Sequence, residues 1–94
     1  MGQFSQINAV IEAYTDWARP WMFYDSVVSI ERLADDERSL ITAIWSEGCN
    51  ERHWSDGSVP EGSAAAELAL EQSFPALSAK ARSRVVRAAA YQWK

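Results

Sequence analysis

One cysteine in 94 residues excludes an intrachain disulfide, so nothing in the chain calls for an oxidising compartment and a cytoplasmic setting is expected. No run of 18 apolar residues is present, which excludes a membrane-spanning helix of ordinary length. No basic segment followed by an apolar run opens the sequence, and no secretory leader is expected. Three prolines and four glycines are too few for a linker or a low-complexity tract, and no internal repeat is visible. With a single histidine beside the single cysteine, the soft ligands of a zinc site are short in number. After Glu71 there are no acids at all.

What is present is a globular composition: 48% hydrophobic and 23% charged residues. That is enough apolar surface for a folded chain, and the length suits one domain spanning residues 1–94. Five tryptophans can supply much of the core of so small a protein, or serve as interface anchors. The net charge of −4 is unevenly spread. Residues 1–61 hold eleven acids and four bases, a balance of −7, whereas residues 62–94 hold two acids and five bases, a balance of +3.

Apolar spacing gives the elements. Ile7, Val10, Ile11, Tyr14 and Trp17 share one helical face, predicting a helix over residues 5–18 with Ser5 as cap, Phe4 as staple and Pro20 as terminator. Residues 21–45 carry most of the large apolar side chains, and the rest of the chain is expected to pack around them. Within them a helix is expected from about residue 24 or 25, capped by Asp25, to residue 33. A second runs over 35–47, opened by Asp35-Asp36-Glu37 and closed by a C′ glycine, Gly48. The competing reading is a β-hairpin turning at residues 34–37 with 26–32 and 38–45 as strands, because Val27, Val28 and Ile30 are β-branched. Residues 49–62 read as a loop, with Asp56-Gly57 turn chemistry and a short helical turn near 50–54. An alanine-rich helix follows over 63–74, capped by Ser63 and stopped by Pro75, and a last helix over 78–93 is capped by Ser78. On that helix Leu77, Ala81, Val85 and Ala88 fall together, extended by Val86, Ala89 and Trp93, with Arg82 inside the apolar arc. The expected fold is therefore all-α, a bundle of four to five short helices. The alternative is α+β, with a central hairpin at about 23–45 flanked by helices.

Three constellations carry chemistry. Cys49 and His53, four apart and near Glu47, Glu51 and Asp56, are the residues a nucleophile–base pair or a metal would use. Neither an orienting group nor further soft ligands accompany them, so neither a catalytic set nor a metal or other cofactor is expected. Asp25-Ser26 ahead of an apolar run resembles the Asp-Ser attachment site of acyl carrier proteins, but the long first loop of that family is missing between Pro20 and Asp25. The second constellation is acidic and aromatic: Asp35, Asp36 and Glu37, with Trp21, Trp45 and Trp54, suit docking on a basic patch of a protein partner, where charge speeds encounter and aromatics supply affinity. The third is the C-terminal stripe of Lys80, Arg84, Arg87 and Lys94 with Tyr91, which fits a phosphate backbone or nucleotide. Overall acidity opposes general nucleic-acid affinity. The expected function is a small acidic, non-catalytic protein-binding module, an inhibitor or adaptor docking on a protein partner such as a basic nucleic-acid-handling complex, analogous in size and charge to phage anti-defence (anti-CRISPR-like) and immunity proteins. The alternatives are a nucleic-acid or nucleotide binder using the last helix and, third, an enzyme centred on Cys49 and His53.

Overall fold

The computed structural model describes residues 3–31, 33–55 and 59–92. Among them there is no strand, and the hairpin reading of residues 23–45 gives way to helix. Four helices of ten residues or more form an all-α bundle: α1 (Gln3–Glu12), α3 (Asp35–Gly48), α5 (Val59–Ser73) and α6 (Ala79–Gln92). Two short segments, α2 (Phe23–Val28) and α4 (Glu51–Trp54), and a 3-10 turn at Pro20–Met22 complete it.

α6 lies at the centre, packed on α1, α3, α5 and the 3-10 turn. The reason is its small side chains: Ala81, Val85, Ala88 and Ala89 are at most 1% exposed and let three helices approach closely. Residues 21–45 do contribute Phe23, Val27, Leu33, Ile41 and Ile44 to the core, but they are one wall of it rather than its hub. The start of α6 is stitched to α1. Ser78 caps α6 by accepting the Ala81 N–H (3.0 Å) and donates its own hydroxyl to Glu12 Oε2 (2.6 Å). Asn8 accepts the Ser78 N–H (2.8 Å) and donates to the Ala76 carbonyl (3.1 Å).

Several helix ends differ from expectation, each for a tertiary reason. α1 already includes Ser5, so neither the Ser5 cap nor the Phe4 staple forms, and it stops at Glu12 rather than before Pro20. Beyond it the chain wraps around Tyr14, whose hydroxyl bonds the carbonyls of Asp16 (2.9 Å) and Arg19 (2.7 Å). Burying Tyr14 and Pro20 outweighs two more turns of helix. α2 starts directly from the 3-10 turn, with Met22 rather than Asp25 at its N-cap. It ends at Val28 because Arg38, ten residues on, donates from Nε to the Val28 carbonyl (3.1 Å) and from Nη2 to the Ile30 carbonyl (2.8 Å).

α3 begins as expected, with three acids in its first turn and the Ala34 N–H held by Glu37 Oε1 at 2.7 Å. Gly48, however, is its last residue, not a left-handed cap; no described glycine has positive φ. A Cβ there would lie 3.0 Å from Val85 Cγ1 and 3.7 Å from Leu70 Cδ1, so its smallness serves the approach of α3 to α5 and α6. α5 begins at Val59, with Pro60 in its first turn where a missing N–H costs nothing. Pro60, Gly62 and Ser63 are thus helical rather than loop and cap. Trp93, Lys94, Arg32 and the Asp56-Gly57 turn lie outside the described residues.

Candidate functional site: an acidic, aromatic face on α2 and α3

Asp35, Arg38, Thr42 and Trp45 follow the three-and-four spacing of one helix face on α3. α2 lies against this side. Tyr24 stacks on Trp45 (centroids 5.6 Å apart, 18° between planes) and bonds Thr42 Oγ1 at 2.9 Å. The Thr42 hydroxyl proton goes to the Arg38 carbonyl (3.0 Å), so Tyr24 is the donor. Behind them Phe23 contacts Trp45 (5.7 Å) and Trp17 (5.9 Å), and Tyr14 meets both Trp17 and Phe23 edge-on. A ring system drawn from residues 14–45 therefore stiffens this side of the molecule.

The described tryptophans do different work. Trp21, on the 3-10 turn, is 59% exposed, and Met22 beside it 37%. The turn itself is anchored, because Pro20 is buried. Trp45 is half-buried in the stack. Trp54 is core: 7% exposed, with its indole N–H bonded to the Gly48 carbonyl at 2.9 Å. The sequence grouping of Trp21, Trp45 and Trp54 as a shared contact set is thus separated by the fold, and Trp54 is not offered to a partner.

The acids are mostly outside. Asp25, Glu31, Asp35 and Asp36 are exposed, whereas Glu37 turns back to cap its own helix. Arg38 is the base described on this face, and it is occupied by the Val28 and Ile30 carbonyls and, at 3.6 Å, by Asp35. The face keeps an excess of negative charge.

The basic stripe on α6 is broken up. Arg87 lies over the Trp17 ring, 4.3 Å from its centroid. Arg84 is half-buried with an Nε that has no acceptor. Lys80 and Tyr91 are exposed, and Lys94 is outside the described residues. Among the described residues the acids of the first two-thirds form no ion pair with Lys80, Arg84 or Arg87; the cation of α6 that meets a carboxylate is Arg82, 3.9 Å from Glu71.

At the α3–α4 corner Glu47 Oε2 holds Arg52 Nη2 (2.8 Å) and lies 3.0 Å from His53 Nε2. The corner is capped by Asn50, which accepts the Arg52 N–H. Cys49 is half-buried, and burial pushes its thiol from 9.0 up to about 11, far from a thiolate nucleophile. Among the described residues no group of three His, Cys, Asp or Glu is placed to hold a metal. Burial also raises Tyr14 above its ordinary 10.0, with the Asp16 carboxylate adding to the effect. Both groups hold their protons more tightly folded than unfolded. For Cys49 the contribution is complete below about pH 9 and is lost as pH rises through about 11; Tyr14 acts in the same direction above its ordinary 10.0. Melting temperature should therefore fall across that range, and fall less in Cys49→Ala; an unchanged slope in the variant would remove Cys49 as a cause.

A scan against protein-family models gives no match, and searches of curated proteins and of solved structures give none either.

Proposed function

We propose that this chain is a non-catalytic protein-binding module that docks the Pro20–Met22 turn, α2 and the outer side of α3 on a basic surface of a protein partner. The observation that carries this reading is Trp21: a large apolar ring, 59% exposed, presented on a turn whose proline is buried. Solvating such a ring has no structural return, and a fixed Trp loses little entropy when covered. Asp25, Glu31, Asp35 and Asp36 are exposed on α2, on α3 and on the chain between them, and carry the sign that suits a basic partner. An inhibitor or adaptor acts in this way, by covering a surface without chemistry. The likeness to phage anti-defence and immunity proteins is one of size and charge.

The test is affinity capture from the native host with tagged protein, compared with an Asp25→Lys/Asp35→Lys variant. A partner retained by the wild type and lost by the charge-reversed variant, with association slowing as salt rises, is the expected outcome. Equal capture by both would remove the reading.

A second reading has one observation in its favour: Lys80 and Arg87 are not neutralised by the acids of the first two-thirds among the described residues. A nucleic-acid or nucleotide site on α6 would use them with Tyr91. It is the weaker reading because Arg87 is engaged by Trp17 and Arg84 is half-buried.

A further inference from the structure

The Pro20–Met22 turn lies on a seam between opposite charges. α6 packs against it, and α2 runs straight on from it at Phe23. α6 has four bases and no acid between Ala79 and Gln92, whereas α2 has Asp25 and no base. Trp21 and Asp25 are four residues apart on the continuous helical run, so they share its outer side, away from buried Phe23 and Val27. Both are exposed, and among the described residues Asp25 forms no ion pair. On the α6 side Arg87 is exposed and held over the Trp17 ring, which in turn stacks on Phe23 at the start of α2. The ring fixes the guanidinium without accepting from its N–H donors in the plane, and among the described residues Arg87 meets no carboxylate. Exposed Trp21 and Met22 are thus bordered by an unpaired anion and an unpaired cation.

We propose that a second copy of this chain covers the seam, as a two-fold dimer in which the Trp21–Met22 turns meet at the axis and Asp25 of each copy faces Arg87 of the other. The order of charge is the argument. A surface that runs from negative to positive across an apolar centre is its own complement, because a half-turn lays acid on base twice over. A surface of one sign would oppose itself under the same rotation. The two-fold contact also closes at two copies and does not grow into a filament. No internal ion pair has to break, since neither Asp25 nor Arg87 has one among the described residues. Two large apolar side chains per copy are a small centre, so the dimer belongs with weak, transient interfaces, with a dissociation constant on the order of 10–100 µM. The inference rests on the docking reading above and deepens it by regulating the same face. The second copy's α6 is a basic surface, and a protein partner has to displace it. Below the dimer range the face is open; above it the face is closed.

The test uses the full chain alone. Its mass by sedimentation equilibrium should rise from 10.6 kDa toward twice that value between about 5 and 500 µM, and rise less in high salt. Over the same dilution series the amides of residues 21–25 and 84–91 should shift together, while those of Ala64 and Leu68, exposed on α5, stay still. Asp25→Lys and Arg87→Glu should each stay monomeric, because each sets like charges face to face. An equimolar mixture of the two should associate within about threefold of wild type, because the mixed dimer restores opposite signs at both contacts. Trp21→Ala should stay monomeric as well. A wild type that remains at 10.6 kDa, shifts confined to one of the two segments, or a mixture of folded variants that stays monomeric would overturn the inference. If Arg87→Glu does not fold, the dilution shifts of the wild type decide. Failure of the docking reading would leave these measurements unchanged. Conversely, a monomeric wild type that still loses its partner on Trp21→Ala excludes the dimer and keeps the docking face.

Discussion

Replacing Gly62 by alanine should destabilise the protein by about 1–3 kcal/mol, although alanine is the better helix former by up to ~1 kcal/mol. Gly62 is buried inside α5 beneath the Trp54 indole. A Cβ there would sit 2.4 Å from Trp54 Cε3 and 2.9 Å from Cδ2 and Cζ3. The obstacle is a rigid ring, pinned by its N–H bond to the Gly48 carbonyl, so it cannot swing aside like the end of a flexible chain. The decisive result is a change of sign. In a Trp54→Ala background the ring is gone, and Gly62→Ala should stabilise by the ordinary propensity difference. Trp54→Ala alone should cost about 3–5 kcal/mol, a large share of the stability of a domain this size. Each kcal/mol moves the melting temperature by roughly 4–8 °C at this length, so a four-protein thermal cycle resolves the coupling. A Gly62→Ala variant that melts higher than wild type would show that the ring does not cover this position.

Trp21→Ala should have the opposite profile: an unchanged melting temperature and a loss of partner affinity of about 30-fold or more, the effect of removing an interface anchor worth roughly 2 kcal/mol. The side chain is 59% exposed, so truncation leaves no cavity. Two residues of the same type thus separate cleanly, Trp54 through folding and Trp21 through binding. Trp45→Ala should show some of each, because its half-buried ring is part of the Tyr24–Phe23 stack. Destabilisation by Trp21→Ala, or no loss of affinity, would show that the exposed turn has been misassigned.

Where a helix is set by its own neighbourhood, the sequence was enough to read it. The three acids opening α3, the Ser78 cap of α6 and the Pro75 stop after α5 are local signals, and the structure contains all three. Errors arose where a distant residue decides. The end of α1 depends on Tyr14 bonding carbonyls two and five residues away, and that of α2 on Arg38 reaching back to Val28 and Ile30. Gly48 and Gly62 carried the signature of chain breakers, yet both are helical, and each is small because another element crosses it. Pro60 followed by Glu61 is a usable signal for the start of α5, although Pro60 and Gly62 read equally well as turn chemistry. For the site, charge sign and aromatic richness were visible in the sequence. Which tryptophans face solvent was not, since Trp21 and Trp54 differ only in what folds over them.

The most direct measurement sets the two faces of the molecule against each other. Partner affinity is determined, for proteins matched in melting temperature, in Trp21→Ala with Asp35→Lys on one side and Lys80→Glu with Arg87→Glu on the other. Binding lost in the first pair and kept in the second is the expected result. Binding kept in the first and lost in the second, with a bound oligonucleotide released in parallel, would contradict the assignment and move the functional surface to α6.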